Sequence, residues 1–135
     1  MWYEDLGKTV FLEVLYNQIP DLVNVRIKQI FLFDDGEKAV IIFDMPDFID
    51  NIPPDWMNLG YNSLCIEIIF GSIKNFRLLY DGGLLMIGDI DIIKNKEGFF
   101  VKIEGDVNCQ FQAKNAMIQK ITGYTLDCAG EYGRV

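Results

Sequence analysis

Alternating apolar and polar residues dominate the chain from residue 22 onward. In LVNVRIKQIFLF, apolar Val23, Val25 and Ile27 alternate with polar neighbours, a period typical of a half-buried strand. The phase slips near Gln29, which predicts a β-bulge. The Asp-Gly turn signal in DDGE leads into a second apolar run, KAVIIF. We therefore predict that the first hairpin lies between residues 22 and 43.

Further strand-like segments follow, separated by turn signals about every 8 to 12 residues. They are LCIEIIF, FRLLY, LLMIGDIDII, FFVKIEG and CQFQA. A change of phase at Gly88 predicts a second bulge, and residues 116–121 fit either a last strand or a helical turn. The pattern predicts a mainly β fold with about seven or eight antiparallel strands, as a two-layer sandwich or a strongly curved sheet.

The N-terminal segment, residues 1–20, has a different pattern. Its apolar residues follow helical spacing, at Leu6, Val10, Phe11, Val14 and Leu15. Pro20 ends the segment, so a short N-terminal helix is predicted before it. We expect residues 1–135 to form a single β-rich domain, and residues 125–135 to be a loosely held, small and polar tail.

Composition excludes several classes of protein. Half of the 135 residues are hydrophobic, enough for a core that needs no metal or disulfide. Apolar runs reach only about five residues, as in GGLLMIG, which argues against a membrane span. The N-terminus lacks a signal-peptide pattern, and the cysteines Cys65, Cys109 and Cys128 are odd in number, so we expect free thiols in the cytoplasm. The net charge of −8 argues against nucleic acid and anionic membranes as partners.

The negative charge is concentrated in one stretch. Between Asp34 and Asp55 there are seven acids and one base, Lys38, which gives −6 of the net −8. Within it, the proline-stiffened segment DMPDFIDNIPPDW offers a candidate surface for a basic partner. The candidate residues are Asp44, Asp47, Phe48, Asp50, Asp55 and Trp56. The alternatives are a solvated acidic face and a Trp56 that folds back as a lid on the sheet.

The sequence contains no motif that carries catalysis. There is no histidine, which removes histidine-activated nucleophiles and histidine metal sites, and no phosphate-binding loop is present. Asp89 and Asp91 share one face of a strand and suggest a divalent cation site or a weak hydrolase, but a solvated outer face is the simpler interpretation. We therefore predict a protein that is not an enzyme, with no catalytic, cofactor or metal site.

The order of these segments resembles the immunity protein 50 family of bacterial polymorphic toxin systems, from Trp2 to Tyr124. The matching landmarks are IPDLVNVRIKQIFL, PPDW, IEIIFGSIKNFRLLYDG, IGDIDI and GFFVKIEGDVNCQFQAKNAMIQKITGY. The resemblance implies a mostly β, non-catalytic, cytoplasmic protein that binds a cognate toxin domain and blocks its activity. A basic toxin, such as a nuclease with a phosphate-binding cleft, suits the charge.

Two alternatives stay open at this point. A small-ligand-binding, β-barrel-like protein would use the interior of the curved sheet, lined by Phe70, Phe76, Phe99 and Phe111. Self-association as a homodimer, through a sheet edge or face, is compatible with the apolar second face of residues 64–70.

Overall fold

Eight strands and two short helices make up residues 1–126, the part of the chain that this computed structural model describes. They are α1 (Thr9–Leu15), β1 (Val25–Phe33), β2 (Lys38–Asp44), α2 (Pro54–Leu59), β3 (Ser63–Gly71), β4 (Lys74–Tyr80), β5 (Ile87–Asn95), β6 (Gly98–Gly105), β7 (Val107–Ala113) and β8 (Asn115–Tyr124). The predicted mainly β class is confirmed. The predicted loose tail, apart from its first two residues, and Cys128 lie outside the described residues.

All eight strands belong to one antiparallel sheet in the order β4-β7-β6-β5-β1-β2-β3-β8. Strands β4 and β8 are its edges, so the sheet is open over the described residues. The junction between its halves is narrow, because β1 pairs with β5 only at Val25↔Gly88 and Arg26↔Ile87. Beyond that junction the ladder of β1 runs along β2 alone, and the two halves of the sheet can fold over one another.

The predicted bulge in β1 is confirmed at the place where the two halves separate. The register between β1 and β2 shifts between Ile27 and Gln29, which leaves Lys28 as the extra residue. A bulge bends its strand and increases the local twist. The slip also keeps Ile30 facing the core, where it packs against the buried cluster. The extra residue, Lys28, therefore both bends the strand and restores the apolar alternation.

Aromatic side chains join the two halves across the core. Phe70 of β3 meets Phe111 of β7 edge-to-face, with ring centroids 5.0 Å apart. Phe76 of β4 stacks on the same ring at 5.5 Å, and Phe99 belongs to the same buried cluster. Contacts of this kind add about 0.5–1.5 kcal/mol beyond the area buried. Phe70, Phe99 and Phe111 therefore pack within the hydrophobic core.

The N-terminal segment covers the gap that the short junction leaves. The amide of Ile118, in edge strand β8, donates to the carbonyl of Leu6 at 2.9 Å, and the amide of Ile90 in β5 donates to Leu22 at 2.9 Å. Trp2, from the same segment, packs edge-to-face on Phe43 of β2. Residues 1–22 thus bridge the two halves and seal the core.

The predicted N-terminal helix is confirmed, but the side that it buries is different from the side that the spacing suggested. Helix α1 begins at Thr9 because Gly7 and Lys8 have left-handed backbones, with φ of 74° and 57°. Its buried residues are Leu12 and Leu15, followed by Tyr16, whereas Val10, Phe11 and Val14 are exposed. Of the residues described, neither helix is long and apolar enough to cross a membrane.

Two local predictions have definite outcomes. Residues 116–121 are strand, as part of β8. The predicted bulge at Gly88 is wrong, since β5 pairs with β6 without a register shift from Gly88 to Asn95. Glycine is needed at position 88 for another reason: a Cβ there would lie 2.8 Å from the carbonyl oxygen of Glu104. A close approach of two strands explains the break in the apolar pattern.

Replacing Gly98 with alanine should destabilise the fold by roughly 3 kcal/mol. At its φ of 142°, an added Cβ meets the carbonyl oxygen of Ala113 and lies 2.8 Å from Cα of Lys114, both of them backbone. Gly82→Ala is the matched control, because φ is also positive but nothing lies within 4 Å, and should cost about 1 kcal/mol. Urea denaturation measures both, and equal losses would contradict the close approach.

Candidate functional site

The predicted acidic segment connects β2 to β3, and its second half is helical rather than an extended loop. Pro54 occupies the first turn of α2, where its missing amide proton costs nothing, and Asp55 lies in the same turn. A carboxylate at this end of a helix is favoured by the exposed amides. Gly60, with φ of 76°, ends the helix. The signal was the Pro-Pro-Asp sequence itself, which is typical of a helix start.

The segment is fastened to the end of α1 by main-chain hydrogen bonds. The amides of Asp50 and Asn51 both donate to the carbonyl of Leu15, at 3.1 and 2.9 Å. In return the amide of Asn17 donates to Oδ2 of Asp50 at 3.0 Å, and the Tyr16 hydroxyl donates to the carbonyl of Asp47. We call residues 9–17 together with residues 45–60 the helical corner.

Trp56 connects the two helices of the helical corner. Its ring packs edge-to-face on Phe11 of α1, at 5.7 Å, and on Tyr61, at 5.8 Å. A Cβ at Gly123 of β8 would come within 3.0 Å of the Trp56 ring, so the ring lies directly over that glycine. Trp56 is half-buried and lies on the sheet, which is the geometry of the lid interpretation.

Asp44, the first of the candidate residues, does not reach the surface. Its side chain is 0% exposed. Arg26 Nη1 lies 3.4 Å from its Oδ2, and Lys28 Nζ lies 3.5 Å from its Oδ1. Both bases come from β1, because the register places Arg26 beside Asp44 and the bulge brings Lys28 over the same carboxylate. Asp44 is therefore part of an interior ion-pair cluster, and we leave it out of the candidate surface.

The remaining acids of the run divide between two places. Asp34, Asp35 and Glu37 lie in the turn between β1 and β2. That turn is separated from the helical corner by the length of β2, seven residues or about 20 Å. Of the seven acids in the run, only Asp47, Asp50 and Asp55 therefore contribute their charge to the helical corner.

Asp47, Asp50 and Asp55 are exposed on the helical corner, with Phe48 beside them. Glu13 of α1 is a fourth exposed carboxylate within the helical corner. Among residues 1–126, none of the four lies within ion-pairing distance of a lysine or arginine. Within residues 1–126, the helical corner therefore keeps four negative charges that no ion pair offsets.

Exposed apolar side chains on both helices are the part of the surface that sequence reasoning missed. They are Val10, Phe11 and Val14 of α1 and Met57 and Leu59 of α2. The signal was present in α1, which carries a second apolar stripe at Leu12, Leu15 and Tyr16. A short helix that is apolar on two sides can bury only one of them against a single core.

A second acidic surface forms from residues far apart in sequence. Glu4, Asp5, Asp21, Asp89 and Asp91 line one open groove. Asp89 accepts a hydrogen bond from the amide of Asn24, and Asp91 lies across the ladder from Lys102. No group of three or more potential metal ligands comes together among the described residues. We use this acidic groove below as a charge control.

The described cysteines are held in the thiol form. Burial raises the pKa of Cys109 to about 11. Burial is also the main reason that the pKa of Cys65 is raised; the charge of Lys28 lowers this pKa, and the Asp44 carboxylate raises it further. Both are free cysteines, and packing accounts for their place in the fold.

Comparison with known proteins gives one family. A family model described as Immunity protein 50 matches residues 8–124, which include every helix and strand above. A crystal structure of an uncharacterized protein from Neisseria gonorrhoeae is similar with 16% identity and a TM-score of 0.46, over 73% of this chain and 92% of that chain. Comparison with curated proteins gives no match.

Asp44→Asn should lower the free energy of unfolding by roughly 1.5–3 kcal/mol, because it removes the charge of a fully buried acceptor that pairs with Arg26 and Lys28. Asp47→Asn removes the same charge from an exposed position and should change stability by less than about 0.5 kcal/mol. Urea denaturation at neutral pH measures both. Equal effects of the two substitutions would contradict the interior role of Asp44.

Cys109 should resist alkylation by iodoacetamide at pH 8.5, because its raised pKa keeps the thiol protonated. Peptide mass spectrometry should find it modified only after unfolding in urea. The same shift predicts that stability falls with rising pH between the ordinary pKa of 9.0 and about 11, because the unfolded chain loses this proton first. Equal labelling rates with and without urea would contradict the assigned burial.

Proposed function

The chain belongs to the immunity protein 50 family, and from that membership we propose that it neutralises a cognate toxin domain by binding it, without catalysing a reaction. The proposed site of action is the cytoplasm. The proposed partner is basic, and the proposed contact is the helical corner. The observation that supports this choice is the set of four exposed carboxylates in that corner, none of which forms an ion pair with a base of residues 1–126.

The charge of the helical corner follows from the sequence around it. Residues 9–25 and 39–73 contain no lysine or arginine, so no base is available locally to offset Glu13, Asp47, Asp50 and Asp55. A surface with one sign of charge attracts an oppositely charged partner and raises its rate of association. A toxin domain with a positively charged face would meet such a field before it makes contact.

The helical corner is also fixed before any partner arrives. Five hydrogen bonds tie residues 47–51 to residues 15–17 at the end of α1, and Trp56 packs α2 against Phe11. Oδ2 of Asp50 accepts from the amide of Asn17, which sets the direction of that carboxylate. A preformed surface loses little conformational entropy on binding, so more of the contact energy appears as affinity.

The two aromatic candidates have different proposed roles. Phe48 is 43% exposed and is the side chain that we assign to direct contact with the toxin. Trp56 is half-buried between Phe11 and Tyr61, so its proposed role is to hold α2 in place rather than to enter the partner. Truncating either one should weaken the complex, but only Trp56→Ala should also destabilise the free protein.

A toxin that acts on nucleic acid is the proposed partner class. Enzymes of that kind need a positively charged cleft to hold phosphates. An acidic, rigid corner that enters such a cleft would occlude it, and the immunity protein would block activity by occupying the substrate's place. The chain itself, with a net charge of −8, is not proposed to bind nucleic acid.

The triple variant Asp47→Asn, Asp50→Asn, Asp55→Asn should lower the association rate with the toxin domain encoded beside this protein by about 10-fold at low salt. Asparagine keeps an oxygen that can accept the bond from Asn17. The matched control is Glu4→Gln, Asp5→Asn, Asp21→Asn in the acidic groove, which changes the net charge equally. Surface plasmon resonance at 20 and 200 mM salt measures both rates.

The control variant should associate nearly as fast as the wild-type protein, and the salt dependence should weaken only in the corner variant. A larger loss in the groove variant would place the contact there and reject the helical corner. If the wild-type protein neither binds the toxin domain nor protects cells that express it, the proposed function itself is wrong.

A further inference from the structure

We infer that the exposed apolar side chains of α1 and α2 form the centre of the toxin interface, with the carboxylates of the helical corner as its rim. The residues are Val10, Phe11, Val14, Met57 and Leu59. The partner surface that fits is an apolar patch bordered by lysine and arginine. This inference rests on the proposed function and identifies which contacts give the complex its lifetime.

Helix α1 presents a side that the fold does not use. Val10 and Val14 lie one helical turn apart and are 75% and 57% exposed. The opposite side holds Leu12 and Leu15, which are fully buried and fasten the helix to the core. The packing of α1 is thus complete without the two valines.

Helix α2 has no buried residue at all. Met57 and Leu59 are 64% and 60% exposed. The helix is held mainly by Trp56, whose ring contacts Phe11 of α1 at 5.7 Å. Because Phe11 is itself partly exposed, this contact brings the exposed side of α1 next to α2. On α2, Met57 and Leu59 are exposed on either side of Trp56.

Val10 and Val14 lower the stability of α1 as an isolated helix. A β-branched valine in an exposed helix position is less favourable than alanine by up to about 0.7 kcal/mol. In a helix of only seven residues, two such positions weaken an element that is already marginal alone. Polar residues would serve the fold better at Val10 and Val14, so their apolar character points to a contact outside the fold.

Charge complementarity decides between a toxin and a second copy of this chain. A symmetric dimer through the helical corner would place Glu13, Asp47, Asp50 and Asp55 opposite the same four carboxylates. Like charges across an interface oppose association. A partner whose apolar patch is bordered by bases satisfies both parts of the surface, and the basic toxin is therefore the occupant.

The test is the triple variant Val10→Ser, Val14→Ser, Met57→Ser against the neighbouring toxin domain. The matched control is Val23→Ser, Leu79→Ser, Ile93→Ser, three side chains of similar exposure elsewhere on the protein. The corner variant should raise the dissociation rate and weaken binding by about 100-fold, whereas the control should change it by less than about 3-fold. The salt dependence of association should be unchanged in both.

Thermal unfolding of both variants is measured first, and both should stay folded because none of the six positions is buried. If wild-type protein binds the toxin and the corner variant binds equally well, the inference fails while the proposed function stands. Light scattering covers the remaining case: a wild-type dimer that the corner variant converts to monomer would assign the surface to self-association and overturn the inference.

Discussion

The pairing of β1 with β5 over only two residue pairs is the constraint on which the rest of the structure depends. A wider junction would hold the two halves of the sheet in one layer. With a narrow one, the halves fold over a shared core and leave a gap between β5 and β8. Residues 1–22 cover that gap through main-chain bonds to both strands. The position of α1, and with it the helical corner, follows from this closure.

The carbonyl of Leu15 shows how the closure becomes a surface. Leu15 is the last residue of α1, so its carbonyl accepts no hydrogen bond within the helix. The amides of Asp50 and Asn51 use it, so the end of one element organises the next. The same contact turns the acidic segment outward while its apolar Ile49 remains buried. A helix terminus thus positions the carboxylates.

Most of the strand pattern was predictable from sequence, because alternation is a local consequence of one buried face. Leu64, Ile66 and Ile68 illustrate this, each fully buried as the period requires. Strand order was not predictable, since β4 pairs with β7 rather than with its sequence neighbour β5. The resemblance noted in the sequence agrees with the family match. The helical corner was not predictable, because it depends on contacts between segments that are distant in sequence.

Asp44 and α1 show the physical reason for the failures at the candidate site. An aspartate in an acidic run is expected in solvent, but here a bulge brings Lys28 over it and Arg26 lies beside it in register. In α1, either of two apolar stripes could face the core, and spacing alone does not tell which of them is buried. Both outcomes depend on tertiary neighbours that no local window of sequence contains.

The separation of the two sides of α1 has an evolutionary consequence. Side chains that seat the helix, such as Leu12 and Leu15, are distinct from those that face outward, such as Val10 and Val14. Substitutions on the outward side leave the hydrophobic interior intact, so mutation can explore new recognition properties at little risk to folding. In α1, the side chains that hold the fold and the side chains that are open to solvent are therefore different sets.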